Sequence, residues 1–551
     1  RDVERSRGLG DVYKRQAVMV ASMFTGCGSD NGSSSAKSAS AASAASAAND
    51  TVDEDGKVNG IMYQEGLPLV DEGDYTFSIF CDDSSESGEF IMLDEFKKQT
   101  NVDVDLKIYP YETATERLNL DLNSGDCADV IGGWTLSDNA ILTYGVNQGV
   151  FIPLEDYFEK YCPNISAILD LPGVREKMTA PDGHIYTIPY VCADTTVGYS
   201  PYINTKWLEN VGMSMPTTTD EFEAVLKAFK EQDANGNGDA SDEIPFSTDP
   251  NNKHIEAMAG YFGLPMNKLG IAIQNEKVVY GGVSDTYREF LSWFHKLYAE
   301  GLVDVELYTQ DSSTWEGKGN QDLYGVSIAY GSNEFTGIPA AEERGDFDSM
   351  PVLNTDKDGI WLRDTEGFSV YRTQAVITNK AEHPEIICRW FDNAFALENG
   401  IGCNRGPVGV IVNKEDDGYH AIDTTTLSEE DQEKYSWGNL WPQSLPKYLP
   451  VDFEFVEEHP MYDEKKATEE AYEANLTKEI IPSYWIDLDK IDTFSDTNTA
   501  IKDFFEQQQA QFVCGELDID NDADWQAYVD GMYSLGLEDW VATQGIEEIA
   551  K

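Results

Sequence analysis

The chain has 551 residues, 39 of them basic and 100 acidic, for a formal charge of −61. So negative a surface repels phosphate backbones and anionic lipid, which argues against nucleic acid as a partner and against direct docking of the folded body on a membrane. An apolar fraction of 41% is enough for sizeable cores, and the length calls for two domains or two lobes of one closing unit.

In chain order, residues 1–26 are set aside as a non-native or truncated signal segment. Residues 1–16 lack the character of a secretory n-region, and residues 17–25 (AVMVASMFT) are apolar and run into Gly26-Cys27. That junction reads as the end of a signal peptide closing on a lipobox, with Phe24 where Leu is usual. Residues 33–48 are almost wholly Ser and Ala, too poor in apolar surface to fold, so 27–73 is expected to be a tether behind a lipidated Cys27. No later run reaches the roughly 20 apolar residues of a membrane span. Residues 75–81 (YTFSIFC) alternate as a first strand, 89–100 form an amphipathic helix, 102–108 a second strand, 115–124 a helix ending at Gly125, and 127–132 a third, buried strand. Strand, helix, strand, helix, strand predicts a parallel, doubly wound sheet. Trp134 then falls beyond a strand's carboxyl end, where ligands of open parallel sheets sit; the alternative is packing within its own lobe.

Farther on, residues 184–191 read as a strand approaching a hinge, and 194–202 as a first crossover. Residues 218–232 and 284–300 read as helices, 324–330 as a strand, 351–361 as the return crossing and 374–378 as a strand of the first lobe. His383-Pro384-Glu385 starts a helix, since Pro suits the first turn and Glu the positive helix end. Residues 512–518 read as extended, followed by a Trp525/Tyr528/Met532/Leu535 packing face. Seven cysteines follow Cys27; their odd number cannot all pair, and no CxxC or Cys/His cluster points to zinc or haem.

The densest chemistry lies in residues 233–243, DANGNGDASDE. Oxygen-bearing Asp233, Asn235, Asn237, Asp239, Asp242 and Glu243 alternate around glycines, the donor set of a hard cation such as calcium. Thr218 and Glu221 have capping-box spacing at the start of the preceding helix. Position 12 of the loop is Ile244 rather than Glu, followed by Pro245, so a helix–loop–strand clip is expected, with structural calcium. The alternative is a polar turn without metal.

This loop with its flanks, residues 199–208 (YSPYINTKWL), 216–222 (PTTTDEF) and Glu243-Ile244-Pro245, resembles the extracellular solute-binding proteins of family 1, the lipid-anchored sugar receptors of bacterial ABC importers. The resemblance runs from about Tyr75 to the C-terminus. At Gly125-Asp126-Cys127-Ala128-Asp129-Val130 the chain has Ala where the family usually has Pro. It implies an α/β fold of the periplasmic-binding-protein type: two lobes with doubly wound sheets, a hinge and a helical C-terminal portion. Lobe 1 is expected at 74–195 plus 351–400, lobe 2 at 196–350 plus 401–551. It further implies an oligosaccharide ligand, an ABC permease as partner, a monomer, and attachment to the outer face of the cytoplasmic membrane by the lipid anchor alone.

Sugars are gripped by ring stacking and planar polar side chains. Trp134, Trp315, Trp361, Trp437 and Trp441 fall in loops, with Arg363 and Arg405 as cations in an acidic chain. The candidate ligand residues are Trp134, Asp194, Tyr199, Trp361, Arg405, Trp437 and Trp441; for each the alternative is lobe packing or a turn. No GxSxG elbow, HExxH or Walker loop appears, and no enzyme is expected. The rival readings are a secreted glycosidase and a sugar-sensing or adhesive surface protein on the same scaffold.

Overall fold

The computed structural model describes residues 50–83, 89–249, 254–337, 346–422, 424–456 and 460–550. All lie in one compact unit, Ala44–Lys551. Cys27 and the Ser/Ala segment lie outside the described residues. The strands that build the two lobes and their junction are, in chain order, β1 (Tyr75–Asp82), β2 (Val102–Tyr109), β3 (Val130–Gly132), β4 (Tyr190–Ala193), β5 (Ser200–Asn204), β6 (Ile244–Thr248), β7 (Tyr324–Ala329), β8 (Phe347–Ser349), β9 (Phe368–Tyr371) and β10 (Ala375–Ile377).

In the first lobe the sheet order is β10-β3-β1-β2; β1 runs parallel to β2 and β3, and β10 antiparallel to β3. Side chains alternate between two cores. Phe77, Ile79, Val130 and Ile377 pack with Phe96, Trp390 and Trp441 on one face, while Phe80, Ile131 and Val376 pack with Leu118 and Leu122 on the other. Helices cover both faces of the central strands, so β3 and β10 are wholly apolar, while the edge strand β2 carries Asp103, Asp105 and Lys107.

The second lobe has sheet order β8-β5-β7-β6, with β7 parallel to β6 and antiparallel to β5. Its core takes Phe222, Val225, Leu226 and Phe229 from helix Thr219–Glu231, and Phe290, Phe294 and Leu297 from Asp285–Ala299. Thr218 caps the first of these through Glu221 N–H (3.2 Å), while the Glu221 carboxylate reaches back to Thr217 N–H at 2.8 Å. The reciprocal bond of the expected capping box is thus made one residue earlier. The helices Ile491–Cys514 and Asp522–Ser534 add Phe505, Phe512, Trp525, Tyr528 and Met532 to this core.

The lobes meet at β4 and β9, paired antiparallel with Val191 opposite Val370. Several expectations are corrected. Residues 50–73 are folded, not tether: Val58, Met62, Leu69 and Val70 are buried in the first-lobe core. The segment 351–361 does not cross back, since Val352, Leu353 and Trp361 pack in the second-lobe core; the return is β9. Cys403, Trp441 and Leu445 pack in the first core, so the chain after 401 serves the first lobe before Tyr472 joins the second. Residues 512–514 are the last turn of a helix, because Phe512 and Val513 are held in the core by its apolar stripe. The hinge strand is β4, with only an isolated Thr187–Val376 bridge before it.

Candidate ligand-binding cleft

Asp82 ends β1 and lies beneath the turn that follows β3. Its carboxylate accepts from Trp134 N–H at 3.0 Å and Thr135 N–H at 2.6 Å. Gly133, at φ +134°, makes this possible: a Cβ there would stand 2.3 Å from Asp82 Oδ1. Burial pushes the Asp82 carboxyl up, and the two amide bonds oppose that shift. The clamp leaves Trp134 47% exposed at the carboxyl end of a parallel sheet.

From Trp134 a row of rings crosses the junction. Its edge meets Tyr371 at 5.2 Å, and Tyr371 stacks on Tyr190 at 5.4 Å, its partner in the β4–β9 register. On the second lobe Tyr330, just past β7, lies 6.0 Å from Tyr199, which stacks on His254 at 4.1 Å. Asp194 ties the two parts together. It accepts from Tyr330 Oη at 3.2 Å and from Ser369 Oγ of β9 at 2.5 Å. Burial lowers His254 to about 4, so its ring is neutral and stacks as an aromatic.

Beneath Tyr330 the Lys465 ammonium donates to the carbonyls of Gly198 (2.7 Å), Val197 (3.3 Å) and Tyr330, and stands 3.9 Å from the Tyr330 ring. Burial lowers it to about 8. With its protons spent on backbone oxygens, it acts as a peg that fixes the platform. Glu334 accepts from Tyr330 N–H at 2.9 Å and is raised to about 7, chiefly by burial and further by Asp249 and Glu316.

Of the expected ligand residues, the structure brings Trp134, Asp194 and Tyr199 into this row. Trp437 is 52% exposed, with the Lys447 ammonium 5.1 Å from its ring. Gln443 accepts from Lys447 at 2.5 Å, donates to Trp437 O at 2.8 Å, and through its own N–H meets Asp83, the residue after β1. Arg405 ends helix Leu397–Arg405 over Phe455 at 5.7 Å. Trp361 and Trp441 are corrected to packing residues. Trp361 is 1% exposed against Tyr261 and Tyr472; Trp441 is fully buried, stacked on Trp390 and donating to Leu445 O. Trp315 is likewise buried, its Nε1 on Ser327. Sequence reasoning missed Tyr190, Tyr330, Tyr371 and His254. The signal for Tyr190 and Tyr330 was there, since each sits at the end of a recognised strand. Two cavities of about 830 and 480 Å³ open elsewhere, and none of these rings lines them.

The acidic loop lies between helix Thr219–Glu231 and β6. Asn235, Asn237 and Asp239 turn their side-chain oxygens back on backbone N–H groups two residues on, at 2.8–3.2 Å. Gly238 N–H meets Asp233 Oδ2 at 3.0 Å, and Asn235 and Asn237 donate to Asp242. Gly236 and Gly238 take φ of +75° and +96°, which keeps the wrap short. Asp233 Oδ1 and Glu243 Oε2 are buried with no hydrogen-bond partner. Two orphaned carboxylate oxygens in a loop of oxygen donors fit a hard cation. Glu243, next to Ile244, holds Ala234 N–H with its other oxygen at 2.9 Å.

A family model described as bacterial extracellular solute-binding protein matches residues 83–400. The chain belongs to this family. As a solute-binding protein it is 31% identical over 413 residues to the fructooligosaccharide ABC transporter substrate-binding protein FusA of Streptococcus pneumoniae serotype 4, covering 72% of this chain and 71% of that one. It is 28% identical over 280 residues to lipoprotein LipO of Bacillus subtilis, covering 49% and 52%. Among solved structures it resembles FusA in complex with kestose, at TM-score 0.75 and 26% identity, over 85% of this chain and 98% of that one. An EF-hand mutant of FusA in complex with fructo-nystose gives TM-score 0.74 at 27% identity, over 85% and 98%. These neighbours are two-lobed solute-binding proteins with the same α/β architecture. The relatives are transport receptors rather than enzymes.

Proposed function

We propose that this solute-binding protein captures an oligosaccharide between its lobes and presents it to an ABC permease by hinge closure. The row of Trp134, Tyr371, Tyr190, Tyr330, Tyr199 and His254 across the β4–β9 junction carries this reading. Rings stack on the C–H faces of sugars, and because the row spans both lobes, a ligand on it gains contacts when they close. Capture without cleavage is the expected chemistry. A calcium ion held by Asp233, Asn235, Asn237, Asp239, Asp242 and Glu243 stabilises the second lobe, with the buried Asp233 and Glu243 oxygens as its strongest support. Cys27, on the lipobox reading, anchors a monomer to the outer face of the membrane. A thermal-shift screen of residues 50–551 against neutral oligosaccharides, with product analysis of every hit, tests the reading. A saturable upward shift with intact sugar supports it; cleavage of a hit contradicts it.

A further inference from the structure

FusA was solved with kestose, and a Bacillus subtilis relative, 27% identical over 146 residues, is named for binding polygalacturonan and rhamnogalacturonan. The charges along the ring row bear on which kind suits this chain. Asp194 lies at its centre, bonded to Tyr330 and Ser369. Glu334 accepts from Tyr330 N–H at 2.9 Å, and the buried Asp249 directly follows β6, its N–H on Ile328 O of β7 at 3.4 Å, two residues before Tyr330. On the first lobe, Asp82 lies beneath the Trp134 turn, and Asp83 next to it accepts from Gln443 N–H at 2.8 Å. The cations nearby are engaged. Lys465, held on three backbone carbonyls 3.9 Å from the Tyr330 ring, offsets one of these carboxylates and leaves the group net negative; Lys447 is buried on Gln443, and Arg372 is paired with Asp138 at 2.8 Å. Lys268 acts on His254 at the far end of the row.

Resting on the proposed function, we propose that the cleft takes neutral glycans and turns away uronate-containing ones, with Asp194, Asp249 and Glu334 as the discriminating carboxylates. A sugar hydroxyl donates to a carboxylate, whereas a uronate carboxylate is acceptor-only and brings a like charge into a half-buried site. The net charge of −61 also repels anions, but at a distance that salt screens; the carboxylates beside the rings act at contact range, where screening is weak.

The test is a titration of the whole chain at pH 8, where Glu334 is ionised, with matched panels: neutral oligosaccharides, oligogalacturonates, and the same oligogalacturonates as methyl esters, each at 0.05 and 0.5 M salt. The expected result is binding within the neutral panels and a preference over free uronates of roughly a hundredfold that persists at high salt, the size of one like-charge contact at about 6 Å in an effective dielectric of about 20. Glu334→Gln should narrow that ratio by about tenfold, whatever it does to neutral affinity. Uronates bound as tightly as neutral glycans at 0.5 M salt would overturn the inference while leaving the receptor reading intact. No binding to any panel would overturn both.

Discussion

Asp82 and Gly133 position Trp134, Asp82 through its bonds to the Trp134 and Thr135 N–H groups and Gly133 by the absence of a side chain. Trp134→Ala should weaken oligosaccharide binding on the order of tenfold, about 1.4 kcal/mol, without unfolding the protein, because the ring is 47% exposed. Calorimetry beside a melting curve checks this, and unchanged affinity would return Trp134 to packing. Glu334 makes a second residue-scale prediction. Its folded value, about 7, lies above the ordinary carboxyl value, so its contribution is present at acid pH and lost as pH rises through 7. Glu334→Gln should therefore gain Tm over the parent as pH rises from 4.5 to 8, with the two proteins converging at the acid end. A gap independent of pH would assign Glu334 a neutral environment.

At the scale of elements, the loop of residues 233–243 and the helix before it act as a unit. Helix Thr219–Glu231 sets its four core residues against β6, and the loop joins the two. Removing calcium should lower Tm by a few degrees, since an ion at about a hundred times its Kd contributes about 2.7 kcal/mol, and should leave glycan affinity nearly unchanged. Chelator titration followed by calorimetry measures both, and Glu243→Gln should abolish the chelator response. A melting curve indifferent to chelator would remove the metal from the loop. This region was legible in sequence because its signals are local: a cap, an apolar stripe, oxygens at alternate positions. The strands of the first lobe were legible for the same reason. What was not legible depended on distant partners. Trp361 and Trp441 read as loop aromatics because nothing nearby in sequence announces Tyr261, Tyr472 or Trp390. Residues 401–451 were assigned to the wrong core because their hydrophobic pattern suits either lobe, and His254 had no local signal at all.

For the whole molecule, the β4–β9 pair and the segments beside it carry the hinge, and the ring row crosses it. A ligand that touches both lobes has more contact in the closed state than in the open one, which is what shifts the population. Solution scattering should accordingly show a smaller radius of gyration at saturating ligand, and Trp134→Ala should require more ligand to reach it. An unchanged radius at saturation would mean binding to a rigid cleft. The most direct measurement is a calorimetric titration of the chain from residue 50 onward against a panel of neutral oligosaccharides, with chromatography of the sugar recovered afterwards. The expected result is saturable one-to-one binding with the sugar recovered intact; absence of binding across the panel, or recovery of shortened products, would contradict a receptor that captures sugar without cleaving it.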